Sequence, residues 1–384
     1  MHYNNKTQLL YVAQVHSNFP SKWANNFQVI KMCSAFSGNN IETTLLAPFN
    51  NKTKYNLEKI KPDIWDFYGV KNKFKIKWIK FHYPNLRFKH LFHGIMASIF
   101  IARNNYNLVY TRSEWVAILS SFFLKKKVLL ELHNFQNSFS QKVLTKISPL
   151  NKSLYLVCIS EALKSELIIN GYKNNILVGH DGVDLNLFNI KVNKKSIHLK
   201  YDLNTNKPIV THIGSIRYGR GFNTIIDTAK KMTNIEFVFV CGHDADFEII
   251  EKVKTQKIPN VKMLDFLPNS EIPNILKSSD ILLMAYTKKL NTLQFTSPLK
   301  MFEYMASNVP IISSDIPVLR EVLNENNALL IPPSDPVALQ NGINMLLTTK
   351  ESANALARQA YKDVKGYSWR KRAKKVINFV ENYI

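Results

Sequence analysis

Cysteine is scarce and scattered. The chain holds three, Cys33, Cys158 and Cys241, far apart and with no Cys-x-x-Cys pair; neither a disulfide framework nor a thiolate zinc site is indicated, and a reducing compartment is expected. Long apolar runs are missing too. No stretch of about 18 apolar residues occurs, and the start "MHYNNKTQLLYVAQ" lacks a charged segment followed by an apolar run of signal length. Neither a spanning helix nor a secretory leader is expected, which points to the cytoplasm. With 12 glycines and 15 prolines there is no low-complexity tract. Acidic residues are the last deficit: 28 against 51 basic ones, a formal charge of +23. Such an excess calls for acidic company, which is nucleic acid, an anionic membrane face or phosphorylated small molecules.

What is present is a repeating grammar of short apolar runs and helical spacers. "LLYVAQV", "TTLLAP", "LVYTR", "KVLLELH" and "LYLVCIS" open the chain. After a polar stretch, "IVTHIGS", "EFVFVCG", "VKMLDFL", "DILLMAY", "VPIISSD" and "ALLIPP" repeat the pattern. Strand–helix alternation implies parallel sheets covered on both faces, and 384 residues are enough for two such domains. The α/β chain is therefore divided as 1–188, a linker region 189–208, and 209–367, with 368–384 as a terminal amphipathic helix. Ligands of doubly wound sheets sit beyond the carboxyl ends of the strands.

Several segments offer chemistry there. In "QFTSPLKMFEYMASN", Ser297 is expected as helix N-cap and Pro298 at the first helical position. The free N–H groups from Leu299 onward would then make an anion site. Glu303, one turn on, can bond ribose hydroxyls or be an ordinary surface glutamate. "THIGSIRYGRGF" ends a strand in a loop with Arg217 and Arg220, whose forked donors suit a pyrophosphate. Glu131 and His133 close the strand of "VLLELHNFQ". Asp244 and Asp246 have metal-like spacing but no third ligand, and are read as a solvated loop. "KNKFKIKWIKFHYPNLRFKH" interleaves lysines with aromatics; it fits a headgroup interface, a one-sided strand with lysines on its wet face, or both.

Taken together, these segments resemble the retaining glycosyltransferases of family 4, with the GT-B architecture of two facing Rossmann-like domains. "FPSKWANNFQVIKMCSAF", "VCISEALKSELIINGY", "VGHDGVDLNLF", "GSIRYGRGFNTII", "SSDILLMAY" and "SPLKMFEYMASNVPIISSDIPVLREVL" carry the resemblance in order. It implies an N-terminal acceptor-side domain, a C-terminal nucleotide-sugar domain and a final helix that crosses back to the first domain. Glu303 matches the second glutamate of the E-x7-E signature, which binds the donor's ribose. The first would fall at Phe295, a departure. Arg220 matches the basic residue on the diphosphate; the arginine five residues earlier would fall at Ser215, another departure, and Arg217 is expected to replace it. His133 matches the histidine near the donor sugar, and Leu267 the segment that contacts the base.

The expected function is transfer of a sugar, with retention, from a nucleotide-sugar donor to a hydroxyl of a glycan or lipid-linked acceptor, as in bacterial-type surface polysaccharide or glycolipid synthesis. Ser297, Arg217, Arg220 and the main-chain groups of Leu299 and Lys300 would hold the diphosphate. No cofactor or metal is expected. The basic aromatic stretch points to peripheral binding at the cytoplasmic face of the inner membrane. No nucleic-acid module is recognisable. A silent glycosyltransferase-like scaffold, suggested by Phe295 and Ser215, is the alternative, with a nucleic-acid-binding protein behind it.

Overall fold

A computed structural model describes residues 7–49, 51–59, 63–80, 88–173, 175–217, 219–242, 250–251, 258–288 and 294–382. The chain divides into two compact units, Met1–Asp181 with Trp369–Ile384, and Gly182–Ser368.

The first unit is built on seven strands: β1 (Gln8–Val12), β2 (Glu42–Phe49), β3 (Lys75–Lys80), β4 (Leu108–Thr111), β5 (Lys127–Leu132), β6 (Leu154–Cys158) and β7 (Ile176–Val178). Their order is β3-β2-β1-β4-β5-β6-β7, with every pairing parallel. Leu9, Leu10, Tyr11 and Val12 of β1 are wholly buried, as are Val128, Leu129 and Leu130 of β5. Near-continuous apolar runs of this kind mark strands covered on both faces. β3 is the exception. It lies at the sheet edge, with Lys75, Lys77 and Lys80 exposed and Ile79 buried, and lysines on an edge strand oppose pairing with another chain.

The second unit has six strands: β8 (Ile209–Gly214), β9 (Glu236–Cys241), β10 (Val261–Leu264), β11 (Ile281–Met284), β12 (Ile311–Ser314) and β13 (Leu329–Ile331). They run in parallel in the order β10-β9-β8-β11-β12-β13. Its core joins Val210, Phe237, Leu283 and Ile312 of the sheet to Ile225 and Ala229 of helix Phe222–Lys231 and Leu339 and Ile343 of helix Pro336–Thr348. The two doubly wound sheets bear out the expected fold class.

Residues 189–208 are not a bare connector. They hold helix Lys194–Lys200, which seats His198 against the Ser278 carbonyl at 2.9 Å, and whose Lys194 reaches Asp280 at 3.0 Å. The polar composition that suggested a linker is the wet side of a short helix covering the second unit.

The terminal helix, Trp369–Glu381, belongs to the first unit. Trp369, Ala373, Val376, Ile377 and Val380 are buried, and so is Arg372, at 4% exposure. Arg372 Nη1 and Nη2 both donate to Glu131 Oε2 at 3.1 Å, while its Nε and Nη2 donate to the carbonyls of His180 (2.8 Å) and Gly179 (3.0 Å) just beyond β7. Glu131, at 1% exposure, also accepts from Gln28 Nε2, from His133 Nε2 and from the Tyr110 hydroxyl. Each lone pair of the carboxylate and most guanidinium protons are thereby satisfied, the condition under which a buried ion pair can persist. Burial alone would raise the Glu131 pKa; Arg372 and His133 overcome it and hold the carboxyl well below its usual range.

Removing one partner leaves the other charge buried and uncompensated. Arg372→Met is expected to cost about 3–5 kcal/mol, read as a lower urea midpoint. The double variant Glu131→Gln/Arg372→Met recovers a large part of that loss, because no orphaned charge remains.

Candidate functional site

In the second sheet the strand order reverses between β8 and β11, the switch point at which doubly wound sheets take their ligands. Three segments meet there. The loop after β8 carries Arg220, the end of β11 carries Tyr286, and helix Leu299–Ser307 begins with Lys300 in its first turn.

Glycine draws the first two together. Gly221 caps helix Phe222–Lys231 at φ +77°, and a Cβ placed on it would stand 1.0 Å from the Ala285 carbonyl oxygen. Only glycine permits that approach. The Gly219 carbonyl accepts from Thr287 N at 3.1 Å and Thr287 Oγ1 at 3.2 Å. So tied, the loop lays the Arg220 guanidinium 5.4 Å from the Tyr286 ring centroid, with Nη1 3.3 Å from the phenolic oxygen.

Lys300 reaches the same ring from the helix, its Nζ 5.0 Å from the centroid. Nζ also donates to the Ile213 carbonyl at 3.0 Å and faces His212 Nε2 at 3.4 Å. His212 Nδ1 lies 3.0 Å from the Leu283 carbonyl, and burial followed by the Lys300 charge holds its pKa well below the ordinary value. The imidazole is therefore neutral, with Nδ1–H donated to the carbonyl and Nε2 accepting from Lys300. Burial, then Arg220, lowers the Lys300 ammonium well below its usual range, and Glu303 offsets part of this. Two basic side chains share one aromatic ring, among the described residues neither is in a salt bridge, and an anion bound between them would favour the charged form of Lys300. The arrangement favours an anion.

The helix opens one residue later than expected. Pro298, at φ −69° and ψ 126°, is the N-cap, and Ser297 precedes it, buried at 6% exposure. Proline's extended ψ keeps it outside the helix, so Leu299 is the first helical residue. The Leu299 and Lys300 N–H groups, at a helix start, have no acceptor within the helix. Glu303 sits one turn on, half-buried. Arg217 is exposed on the loop, and Leu267 is partly exposed after β10. Ser215 Oγ is buried with no hydrogen-bond partner among the described residues. Asp244 and Asp246 lie outside the described residues.

The structure thus brings Arg220, Leu299 and Lys300 together. Composition and spacing did not single out Tyr286, His212 or the Lys300 side chain. An aromatic closing the strand "DILLMAY" was the available signal for the first.

His133 belongs to the first unit, just past β5, with 22% of its side chain exposed and Nε2 at 2.5 Å from Glu131 Oε1. Burial and the Arg112 guanidinium lower its pKa to about 4 against the pull of Glu131. Arg112 itself donates to Asn25 and Gln28. Asp181, at 5% exposure, is pushed the other way, up to about 7, by burial, with Arg372 pulling against it and Glu131 reinforcing it. At mildly acidic pH one carboxylate of this cluster is ionised and the other holds its proton.

Residues 193–363 match the model of the glycosyl transferases group 1 family. The chain is 22% identical over 226 residues to sulfoquinovosyl transferase SQD2 of Arabidopsis thaliana, covering 57% of this chain and 42% of that protein. It is 23% identical over 188 residues to the putative teichuronic acid biosynthesis glycosyltransferase TuaH of Bacillus subtilis, covering 48% of this chain and 46% of that one. These alignments span less than half the length of both curated relatives. Among solved structures, Anabaena Alr3699/HepE in complex with UDP is similar at a TM-score of 0.73 and 16% identity, over 98% of this chain and 100% of that one. That likeness shows the shared GT-B fold.

The raised Asp181 pKa fixes a sign. Between about pH 4 and pH 7 the folded chain keeps a proton that the unfolded chain has released, so this group's stabilisation is present below pH 4 and is lost as pH rises through 7. His133, lowered from 6.5 to about 4, acts oppositely, its folded form gaining stability as pH rises from 4 to 6.5. In Asp181→Asn only the first effect disappears. The melting temperature of the variant relative to the native chain is expected to climb between pH 4 and pH 8, by an amount worth at most about 4 kcal/mol.

Proposed function

From a GT-B fold whose residues 193–363 match glycosyl transferases group 1, we propose that this protein transfers a sugar, with retention, from a nucleotide-sugar donor to a hydroxyl of a glycan or lipid-linked acceptor. One observation carries the reading: Arg220 and Lys300 converge on Tyr286 at the switch point, beside the open N-terminus of helix Leu299–Ser307. A nucleoside diphosphate offers the negative charge those groups lack.

In this reading the Leu299 and Lys300 amides, with the Arg220 and Lys300 side chains, bind the diphosphate, with Ser297 and Arg217 at its margin. Glu303 holds the ribose and Leu267 lies by the base. As the bond between the anomeric carbon and the phosphate oxygen breaks, charge grows on the diphosphate, where preorganised donors stabilise it most. The acceptor oxygen bonds the anomeric carbon on the same face, and its proton passes to the leaving phosphate oxygen. With protein cations in this place no metal is called for, so a chelator leaves the rate unchanged. The resemblance assigns His133 to the donor sugar. Its neutral ring keeps Nδ1 as an acceptor while Nε2–H is donated to Glu131.

UDP is the first donor nucleotide to try, because the HepE complex holds UDP. An acceptor at a membrane would also account for the +23 charge, with the protein peripheral on the cytoplasmic face.

A thermal-shift screen against UDP, GDP and ADP, followed by nucleotide release from their sugars, tests the proposal. Arg220→Met or Lys300→Met is expected to weaken binding of the stabilising nucleotide about 10- to 100-fold, the loss of a charged hydrogen bond of roughly 1.5–3 kcal/mol. Glu303→Ala is expected to weaken binding of the nucleoside and of the nucleoside diphosphate, but to leave pyrophosphate binding intact. A nucleotide that binds while no sugar is released would instead support the silent scaffold.

A further inference from the structure

Helix Lys89–Ala102 of the first unit is inside out. It buries His93, Gly94, Ala97, Ser98 and Ile101, while Phe88 before it and Phe92, Ile95 and Ile99 along it are exposed by 64%, 38%, 40% and 41%. At 100° per residue these four lie within about 60° of one another, on a stripe about 16 Å long. Between Lys89 and Arg103 the helix has no lysine, arginine, aspartate or glutamate. Close packing holds it this way round: a Cβ on Gly94 would meet the Trp115 Cβ at 2.7 Å, and rolling the helix to bury its phenylalanines would lose that approach.

The rim of the stripe is basic. Lys89 and Arg103 are exposed at its two ends. From the edge strand β3, Lys77 and Lys80 are exposed, and Lys77 Nζ lies 5.3 Å from the ring centroid of Phe100 on the same helix. Among the described residues no helix is long and apolar enough to cross a membrane, so an apolar stripe here can enter a bilayer only from its surface.

We propose that this face docks on an anionic lipid surface, with Phe88, Phe92, Ile95 and Ile99 entering the headgroup–acyl boundary and Lys77, Lys80, Lys89 and Arg103 meeting the acidic headgroups. An interfacial helix combines just these parts, an apolar face and a basic border. A second copy of the chain fits the apolar stripe but not its border, because two basic rims would face each other on a protein of charge +23. The inference rests on the membrane-borne reading proposed above and supplies its contact surface.

Sedimentation of the full chain with vesicles of equal parts phosphatidylcholine and phosphatidylglycerol, or of phosphatidylcholine alone, tests it. The native chain is expected to sediment with the mixed vesicles only. Phe92→Ser/Ile95→Ser/Ile99→Ser, all at exposed positions, should bind at least tenfold more weakly, with melting temperature and nucleotide-induced stabilisation unchanged. An environment-sensitive dye on Ile95→Cys, where the three native thiols are buried, should shift to the blue on mixed vesicles. Triple-variant binding equal to native overturns the docking face; if Lys73, Lys75, Lys77 and Lys80 changed together to glutamine then abolish sedimentation, the membrane reading survives without this helix. No native binding to either vesicle overturns both. A native dimer that the triple variant splits, without vesicle binding, assigns the face to a second copy and overturns the proposal.

Discussion

A buried carboxylate cannot stand alone in a parallel sheet, and Glu131 sets the terms for the first unit. Its strand is covered on both faces, so its charge must be answered from within. The answer comes from a residue 241 positions away: Arg372, on the last helix, bonds Glu131 and the carbonyls that follow β7. One ion pair thus joins the middle of the sheet, its far edge and the end of the chain. Without the helix the sheet would hold an unpaired charge, and without the carboxylate the helix would bury a guanidinium against carbonyls alone.

Burial governs the titration around the pair. It keeps the His133 imidazole neutral above about pH 4, with Arg112 acting in the same direction, and it lets Asp181 hold its proton up to about pH 7, where Arg372 and Glu131 pull in opposite directions. The second unit solves the opposite problem. There Arg220 and Lys300 form no salt bridge among the described residues and rest instead on a carbonyl, a neutral histidine and the face of Tyr286, with the Glu303 charge acting on Lys300. Charge that is cancelled in one unit is conserved in the other, and only the second arrangement leaves work for an anionic ligand.

Much of this was legible in the residues. The apolar runs named the buried strands, since β-branched and leucine-rich stretches ending in turn residues have few other uses. Glycine marked the tight loop at 219–221, and Ser-Pro marked the start of helix Leu299–Ser307 to within one residue. What escaped were groups defined by partners distant in sequence. Lys300 was read for its backbone, because no local pattern says that its side chain turns inward to Ile213 and Tyr286. The polar run 189–208 hid a helix because few of its residues are apolar. Arg372 did have a local signal: it lies three residues from Trp369 and four from Val376, on the apolar side of its helix, where a charge needs a buried counterpart.

That spacing argument also separates two helices of the first unit. In Trp369–Glu381 the large apolar residues point inward and the lysines outward, so its surface is explained by solvation, and its one inward charge by Glu131. In Lys89–Ala102 the periodicity is equally helical, but the phase is reversed: small residues pack, large ones face out, and charge is confined to the ends. Periodicity reports that a helix is amphipathic without saying which side the fold will bury. Here Gly94 decides, by allowing the approach to Trp115 that commits the small face to the core. The exposed stripe is then a consequence of packing rather than a failure of it, and it gains free energy whenever it leaves water.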